Sequence, residues 1–310
     1  MNTSPTRQWV GIACVILAAA GFSLKGIYVK LTIAEGVSVP SLMIWRYLLA
    51  LIFFWGFALW RYNIRQVIFL PKTALLLTIA AGFMGYYLGT YADYRALELL
   101  DATVSRFILF TFPVFVVAWH SLIERKLPPP RQVAAIITIQ VGMYFLLLAD
   151  GRSFPTDSME GAAWGFAAAF SYAIYLILIQ KTGKNIPSPI IATWVVTTAS
   201  IITLIEFSLM GRWSNEFEIN STAFYLLLQT AIFSTFLPII LIAESIRRIG
   251  SSRSALISAF SPFFTIILAF LLLNEVMTPN QWIGGLVIFL SVLILEGKLP
   301  VRKLFRRTVA

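Results

Sequence analysis

Cysteine and histidine are almost absent: the 310 residues hold one of each, Cys14 and His120. A single thiol excludes an intrachain disulfide and any cysteine-cluster metal site. One imidazole leaves no metal-spaced histidine set, and neither a nucleophile–base constellation nor a phosphate-binding glycine loop is present. The chain is therefore expected not to be an enzyme, and to need neither cofactor nor metal. Charge is scarce as well, at 12% of residues against 59% hydrophobic, with a mean hydropathy of +0.83. A soluble chain of this length needs far more charged surface, so most of this one is expected to be solvated by hydrocarbon. Acidic residues number 14 against 24 basic, a net charge of +10. The basic residues sit in short loops between apolar runs, which points to membrane orientation and not to nucleic acid. Low-complexity segments are missing, and no loop is long enough to hold a separate domain.

What is present is ten apolar runs, at 9–30, 38–60, 73–97, 102–122, 132–149, 159–180, 187–209, 221–245, 252–273 and 280–295. Each approaches the ~20 residues that cross a hydrocarbon core of ~30 Å. The first lacks a small-residue cleavage site followed by a soluble domain, and reads as a span and not as a removable signal. Ten spans put 17 of the 24 basic residues on one side, from Arg7 through Arg61, Arg65, Lys72, Arg125, Lys126, Lys181, Lys184, Arg247 and Arg248 to the tail ending at Arg307. That side is then cytoplasmic and holds both termini. Glu35, Asp101, Asp150, Asp157, Glu160, Glu216 and Glu218 fall on the other.

The two halves resemble each other. Aligning Pro113 with Pro262 also aligns Gln132 with Gln281, and Ala18-Ala-Ala-Gly-Phe-Ser23 echoes Ala167-Ala-Ala-Phe-Ser171. Five spans per half is odd, so 1–150 and 151–310 are expected to be inverted repeats, the second ending in a basic cytoplasmic tail. Inverted repeats place a site near the midplane and give alternating access by rocking. The expected fold is all-α, ten transmembrane helices with both termini inside, and one chain suffices as a monomer in the bilayer.

The stretch from Gly82 to Arg95 is the most unusual. On a regular helix Tyr87, Tyr91 and Tyr94 share one face and Gly82, Gly85 and Gly89 nearly the opposite one. Glycines let a neighbouring backbone approach, whereas buried phenols need partners or water, as a partly wet cavity wall would supply. An interfacial tyrosine belt is the other reading, and suits Tyr94 better than Tyr87. Lys25 shares a face with Gly11, Cys14, Ala18, Gly21 and Tyr28, so open volume is expected beside its ammonium. It either attracts a substrate carboxylate or snorkels to the outer surface about 9 Å away. Trp164, Ala168, Ser171 and Tyr175 lie near one face of the sixth run, suiting an apolar or aromatic solute, or else lipid. Arg46 and Asp93 stand at similar depth and are expected to form a structural ion pair, with a gating role at the outer mouth. His120, Glu206 and Glu244 read as interfacial, and Gln140 and Gln229 as interhelical hydrogen bonders. Pro113, Pro238 and Pro262 interrupt runs, as hinges or static kinks.

The five-plus-five pattern, Trp45-Arg46-Tyr47, Ser105-Arg106-Phe-Ile-Leu-Phe-Thr-Phe-Pro113, and Ser261-Pro262 leading to Leu273-Asn-Glu275 with Pro279 resemble the EamA-type branch of the drug/metabolite transporter superfamily. Gly85-Tyr-Tyr-Leu followed by Arg106-Phe-Ile-Leu-Phe is similar to bacterial amino-acid exporters, the aromatic ones among them. The resemblance implies an inner-membrane exporter of amino acids, aromatic or neutral ones preferred, with a small-molecule substrate. The candidate site is Lys25, Tyr28, Tyr87, Tyr91, Trp164, Ser171 and Tyr175. The alternatives are an exporter of organic cations or drug-like metabolites, and a passive channel or a receptor without turnover.

Overall fold

Polar residues start several of the helices. Ser38 accepts a hydrogen bond from the Ser41 amide, and Asn220 caps the helix after it by accepting from the Ala223 amide at 2.7 Å. Thr278 and Gln281 cap each other reciprocally, Thr278 N–H to Gln281 Oε1 at 3.0 Å and Gln281 N–H to Thr278 Oγ1 at 3.2 Å. Such caps satisfy amides that a helix leaves unpaired at its start.

The computed structural model describes residues 5–100, 102–147, 149, 159–182, 186–211, 219–264, 267–268 and 278–295. The loop charges Asp101, Asp150, Asp157, Lys184, Glu216 and Glu218, the Glu275 motif and the basic tail lie outside these residues. Helices α1 Pro5–Ala34, α2 Val39–Arg61 and the short α3 Ile64–Ile68 come first. Next are α4 Lys72–Ala81, a π-helical segment Gly82–Leu88 and α5 Gly89–Leu99, followed by α6 Ala102–Leu109, α7 Phe112–Glu124 and α8 Pro130–Leu147. The second half runs α9 Met159–Lys181, α10 Ser188–Leu209, α11 Ser221–Ala231, a second π-helical segment Ile232–Phe236, α12 Leu237–Ile249, α13 Ser251–Ser258 and α14 Pro279–Leu295. Among the described residues, seven helical stretches are long and apolar enough to cross a bilayer. Their outward side chains include Ile52, Trp60, Leu76, Leu122 and Leu209, each more than half exposed. In lipid such a surface is solvated.

The repeat is visible element by element. Val39 and Ser188, Lys72 and Ser221, Ala102 and Ser251, and Pro130 and Pro279 begin matching helices, always 149 residues apart. The interruption at 110–111 recurs at 259–260, just ahead of Pro113 and Pro262. The second π-helical segment falls, at the same offset, on 83–87, inside the first.

Contacts gather the chain into two units that each draw on both halves. The first comprises Met1–Leu88 and Tyr175–Ile249, the second Gly89–Ile174 and Gly250–Ala310. In the first unit α1 packs on α11 and α12, and α2 on α10. Glycines set these contacts: a Cβ on Gly11 would lie 2.7 Å from Ile249 Cγ2, and one on Gly21 would lie 2.5 Å from Pro238 Cγ. The open volume expected along that face of α1 is therefore filled by α12. Trp55 and Trp194 meet edge-to-face at 5.9 Å, their indoles donating to Thr197 Oγ1 and to the Val67 carbonyl. In the second unit α8 packs on α14 and α7 on α13. A Cβ on Gly284 would lie 2.5 Å from the Leu146 nitrogen, so the α8 and α14 backbones are almost in contact. Small residues permit this approach, which lipid-embedded helices use in place of a hydrophobic driving force.

Candidate functional site

In the first unit two of the candidate residues, Tyr87 and Tyr175, meet at the segment Gly82–Leu88. A π turn widens the helix and frees a carbonyl from the regular ladder, which another group then satisfies. Here the Tyr47 hydroxyl, fully buried on α2, donates to the Tyr86 carbonyl. The Arg46 guanidinium, also buried, lies 4.6 Å from the Tyr47 ring centroid. Gly85 is pressed against Tyr175, with a Cβ position 2.5 Å from that residue's Cβ, and Gly82 against the Val195 carbonyl. Gly82 and Gly85 thus let the neighbours approach closely, as expected. Tyr175 is fully buried, and its ring meets Tyr86 edge-to-face at 5.2 Å. Tyr87 stacks on Phe83 at 5.9 Å and borders an open apolar groove of about 230 Å³ with Ile202, Ile205, Glu206, Leu209 and Met210. Lys25 and Tyr28 are half-buried on α1.

The expected single face of tyrosines crosses a change of helix type, from the π-helical Gly82–Leu88 that carries Tyr87 to the regular α5 that carries Tyr91 and Tyr94. A helical wheel takes a 3.6-residue repeat throughout, whereas the π turn shifts the phase between Tyr87 and the residues after it. Tyr91 is partly exposed, while Tyr94 is buried.

The second unit carries another aromatic cluster. Tyr91 meets Trp164 edge-to-face at 5.8 Å. The Trp164 indole donates to Glu160 Oε1 at 3.3 Å, and Arg95 Nη2 lies 3.7 Å from the same oxygen. Ser171 and Asp93 are buried, at 3% and 6% exposure. Pro113 stands in the first turn of α7, and Pro262 stands at the matching place in the helical turn that follows 259–260, both buried. His120 bonds Ser251 at 2.8 Å across α7 and α13.

Two residues escaped sequence reasoning. Tyr86 faces away from Tyr87 on a regular wheel, and Tyr47 was visible only inside a motif. Glu244, read as interfacial, is the hub of a network: it accepts from Arg247 Nε at 2.9 Å, Arg247 Nη2 at 2.7 Å, Arg248 Nε at 2.6 Å and the Ser188 hydroxyl. Its i+3 and i+4 arginines were in plain view; Ser188 was not. Among the described residues no group of three or more His, Cys, Asp or Glu is placed to hold a metal ion. Each unit thus carries aromatic rings, and the first also a half-buried ammonium, groups whose chemistry suits amphipathic solutes.

Comparison with known proteins places these features. The chain is 24% identical over 278 residues to the transporter YcbK of Bacillus subtilis, covering 88% of each chain. It is 26% identical to the inner membrane transporter YicL of Salmonella typhimurium, over 64% of this chain and 66% of that one. It is 22% identical to an S-adenosylmethionine/S-adenosylhomocysteine transporter of Chlamydia trachomatis, over 78% of this chain and 75% of that one. A solved crystal structure superposes with a TM-score of 0.74 at 15% identity, covering 99% of this chain and 100% of the other, a likeness of fold alone. The model of the EamA-like transporter family matches twice, over 9–148 and 159–296, one match to each half. The chain belongs to the EamA-like transporter family and is a multi-pass membrane transporter built from two repeats.

Proposed function

We propose that this transporter exports amino acids, aromatic and neutral ones preferred, by alternating access. The observation that carries the reading is the pair of aromatic clusters, Tyr86, Tyr87 and Tyr175 in one unit and Tyr91 and Trp164 in the other. Rings of this kind bind aromatic and apolar side chains by edge-to-face and offset contacts. Lys25, half-buried on α1 with Tyr28 nearby, meets the substrate carboxylate, and Ser171 contributes a hydroxyl. Halves 1–150 and 151–310 are inverted repeats of five spans, with both termini cytoplasmic in the inner membrane, and the monomer suffices. Pro113 and Pro262 act as hinges at matched positions. Arg46 and Asp93 serve as the structural and gating charges of the outer mouth; exchanging the two should restore flux that either single reversal removes. A mostly apolar site with few fixed polar groups gives broad selectivity and weak affinity. Flux of labelled phenylalanine and threonine in proteoliposomes tests the reading, and flux no greater than in empty vesicles would refute it.

A second cargo class has its own support. The relative from Chlamydia is named for S-adenosylmethionine, which joins an amino-acid head to a sulfonium and a purine. An aromatic site that holds a carboxylate also suits a zwitterion of that type. Inhibition of phenylalanine flux by S-adenosylmethionine, with labelled S-adenosylmethionine itself carried, would favour this reading over simple amino acids.

A further inference from the structure

The two π-helical segments occupy matched positions but rest on different chemistry. In the second repeat Pro238 follows the segment Ile232–Phe236 and has no N–H to give, so the ladder is broken by the covalent chain itself. The Thr235 hydroxyl satisfies the Thr230 carbonyl five residues back at 3.1 Å, and the Leu237 N–H reaches Ile232. The matched position in the first repeat is Gly89, which keeps its N–H. Nothing in the covalent chain there forces a π turn over Gly82–Leu88. What acts on it comes from outside: the Tyr47 hydroxyl on the Tyr86 carbonyl, Tyr175 against Gly85, and the Val195 carbonyl against Gly82.

We infer that Tyr47 is a positioning residue whose hydroxyl holds Gly82–Leu88 in the π register, and that this register sets selectivity by deciding where Tyr86 and Tyr87 are presented. The inference rests on the proposed amino-acid site and adds to it a residue outside that site. Without the hydroxyl the segment relaxes toward a regular helix. One residue then leaves the wide turn, and the chain on one side rotates by about 100° relative to the other. Tyr86 turns off Tyr175, and Tyr87 turns away from the groove with Ile202 and Glu206. The second repeat, with Pro238 built in, has no such freedom. The pair of repeats therefore combines one fixed and one releasable π turn.

The test uses the full-length protein with Cys14→Ser and single cysteines at positions 83, 84, 86 and 87, each labelled with a maleimide in vesicles. Tyr47→Phe keeps the buried ring and removes only the hydroxyl. Gly85→Ala is the second variant, since its Cβ would fall 2.5 Å from Tyr175 and drives the segment out of register from the other side. Both are expected to move the labelling pattern by one residue. In the background without added cysteines, Tyr47→Phe should change the ratio of KM for phenylalanine to KM for threonine by about fivefold, the size of one lost hydrogen bond. Labelling of Tyr47→Phe that is identical to wild type overturns the inference, whatever Gly85→Ala shows. Labelling that moves while the KM ratio stays fixed overturns it too, because the register then has no hold on selectivity. A wild type that carries no amino acid shows as zero flux before any variant is compared; that result refutes the amino-acid reading, and labelling alone then decides the register.

Discussion

Replacing Gly284 with alanine should be among the most damaging single-methyl changes in the chain. The added Cβ would sit 2.5 Å from the Leu146 nitrogen, 2.6 Å from the Gly142 carbonyl oxygen and 2.8 Å from Leu146 Cα. All three are backbone atoms of α8, so no side chain can swing aside. An ordinary contact begins near 3.4 Å, and α14 must retreat from α8 by about 0.9 Å. A gap of that size forfeits roughly a quarter to a half of the dispersion energy of the atoms that part. Overpacking of this kind costs about 1–3 kcal/mol, and alanine returns up to about 1 kcal/mol through its helix propensity. Gly56→Ala is the matched control, because nothing lies within 4 Å of a Cβ there. It should be neutral or stabilising by up to about 1 kcal/mol. Reversible unfolding in mixed micelles, followed by the fluorescence of the nine tryptophans, measures both. The propensity gain is common to both variants, so the expected gap between them is the overpacking cost, about 1–3 kcal/mol. Equal stabilities would refute the claim that α8 and α14 touch through their glycines.

Further outcomes follow from the charged and aromatic clusters. Lys25→Ala should lower amino-acid flux by at least about tenfold, the size of a lost charge-assisted contact, and should spare organic cations. Vesicle flux of both substrate types checks this, and equal losses would contradict it. Glu244→Ala should destabilise by about 1–3 kcal/mol, since it leaves Arg247, Arg248 and Ser188 without their shared acceptor; thermal unfolding in detergent reads the effect. Tyr91→Ala and Trp164→Ala should be non-additive in stability, with a coupling of about 0.5–1.5 kcal/mol in a double-mutant cycle.

Much of the fold could be read in advance because hydrocarbon imposes a simple pattern. Apolar length and terminal Ser, Asn and Pro residues put helix ends close to where they fall, as at Val39, Ser188 and Pro279. The repeat offset read from Pro113 and Pro262 is the one that relates the helices. The π turns were invisible because a helical wheel assumes one period throughout, and nothing local at Gly82–Leu88 announces a change. That segment depends on Tyr47, 39 residues away from Tyr86, and such a contact exists only once α2 and the π-helical segment are packed. The sorting of the chain into units drawn from both halves was hidden for the same reason: repeats are written in sequence, whereas contacts are made across them. Small neighbours suggest open volume beside Lys25, yet Gly11 and Gly21 seat α12.

Counterflow in proteoliposomes tests the central claim most directly: vesicles preloaded with unlabelled phenylalanine, labelled phenylalanine outside, and the uptake rate followed against concentration. Alternating access predicts saturable uptake that is accelerated by substrate on the far side. Uptake linear in concentration and indifferent to the preload would contradict it, as would uptake equal to that of protein-free vesicles.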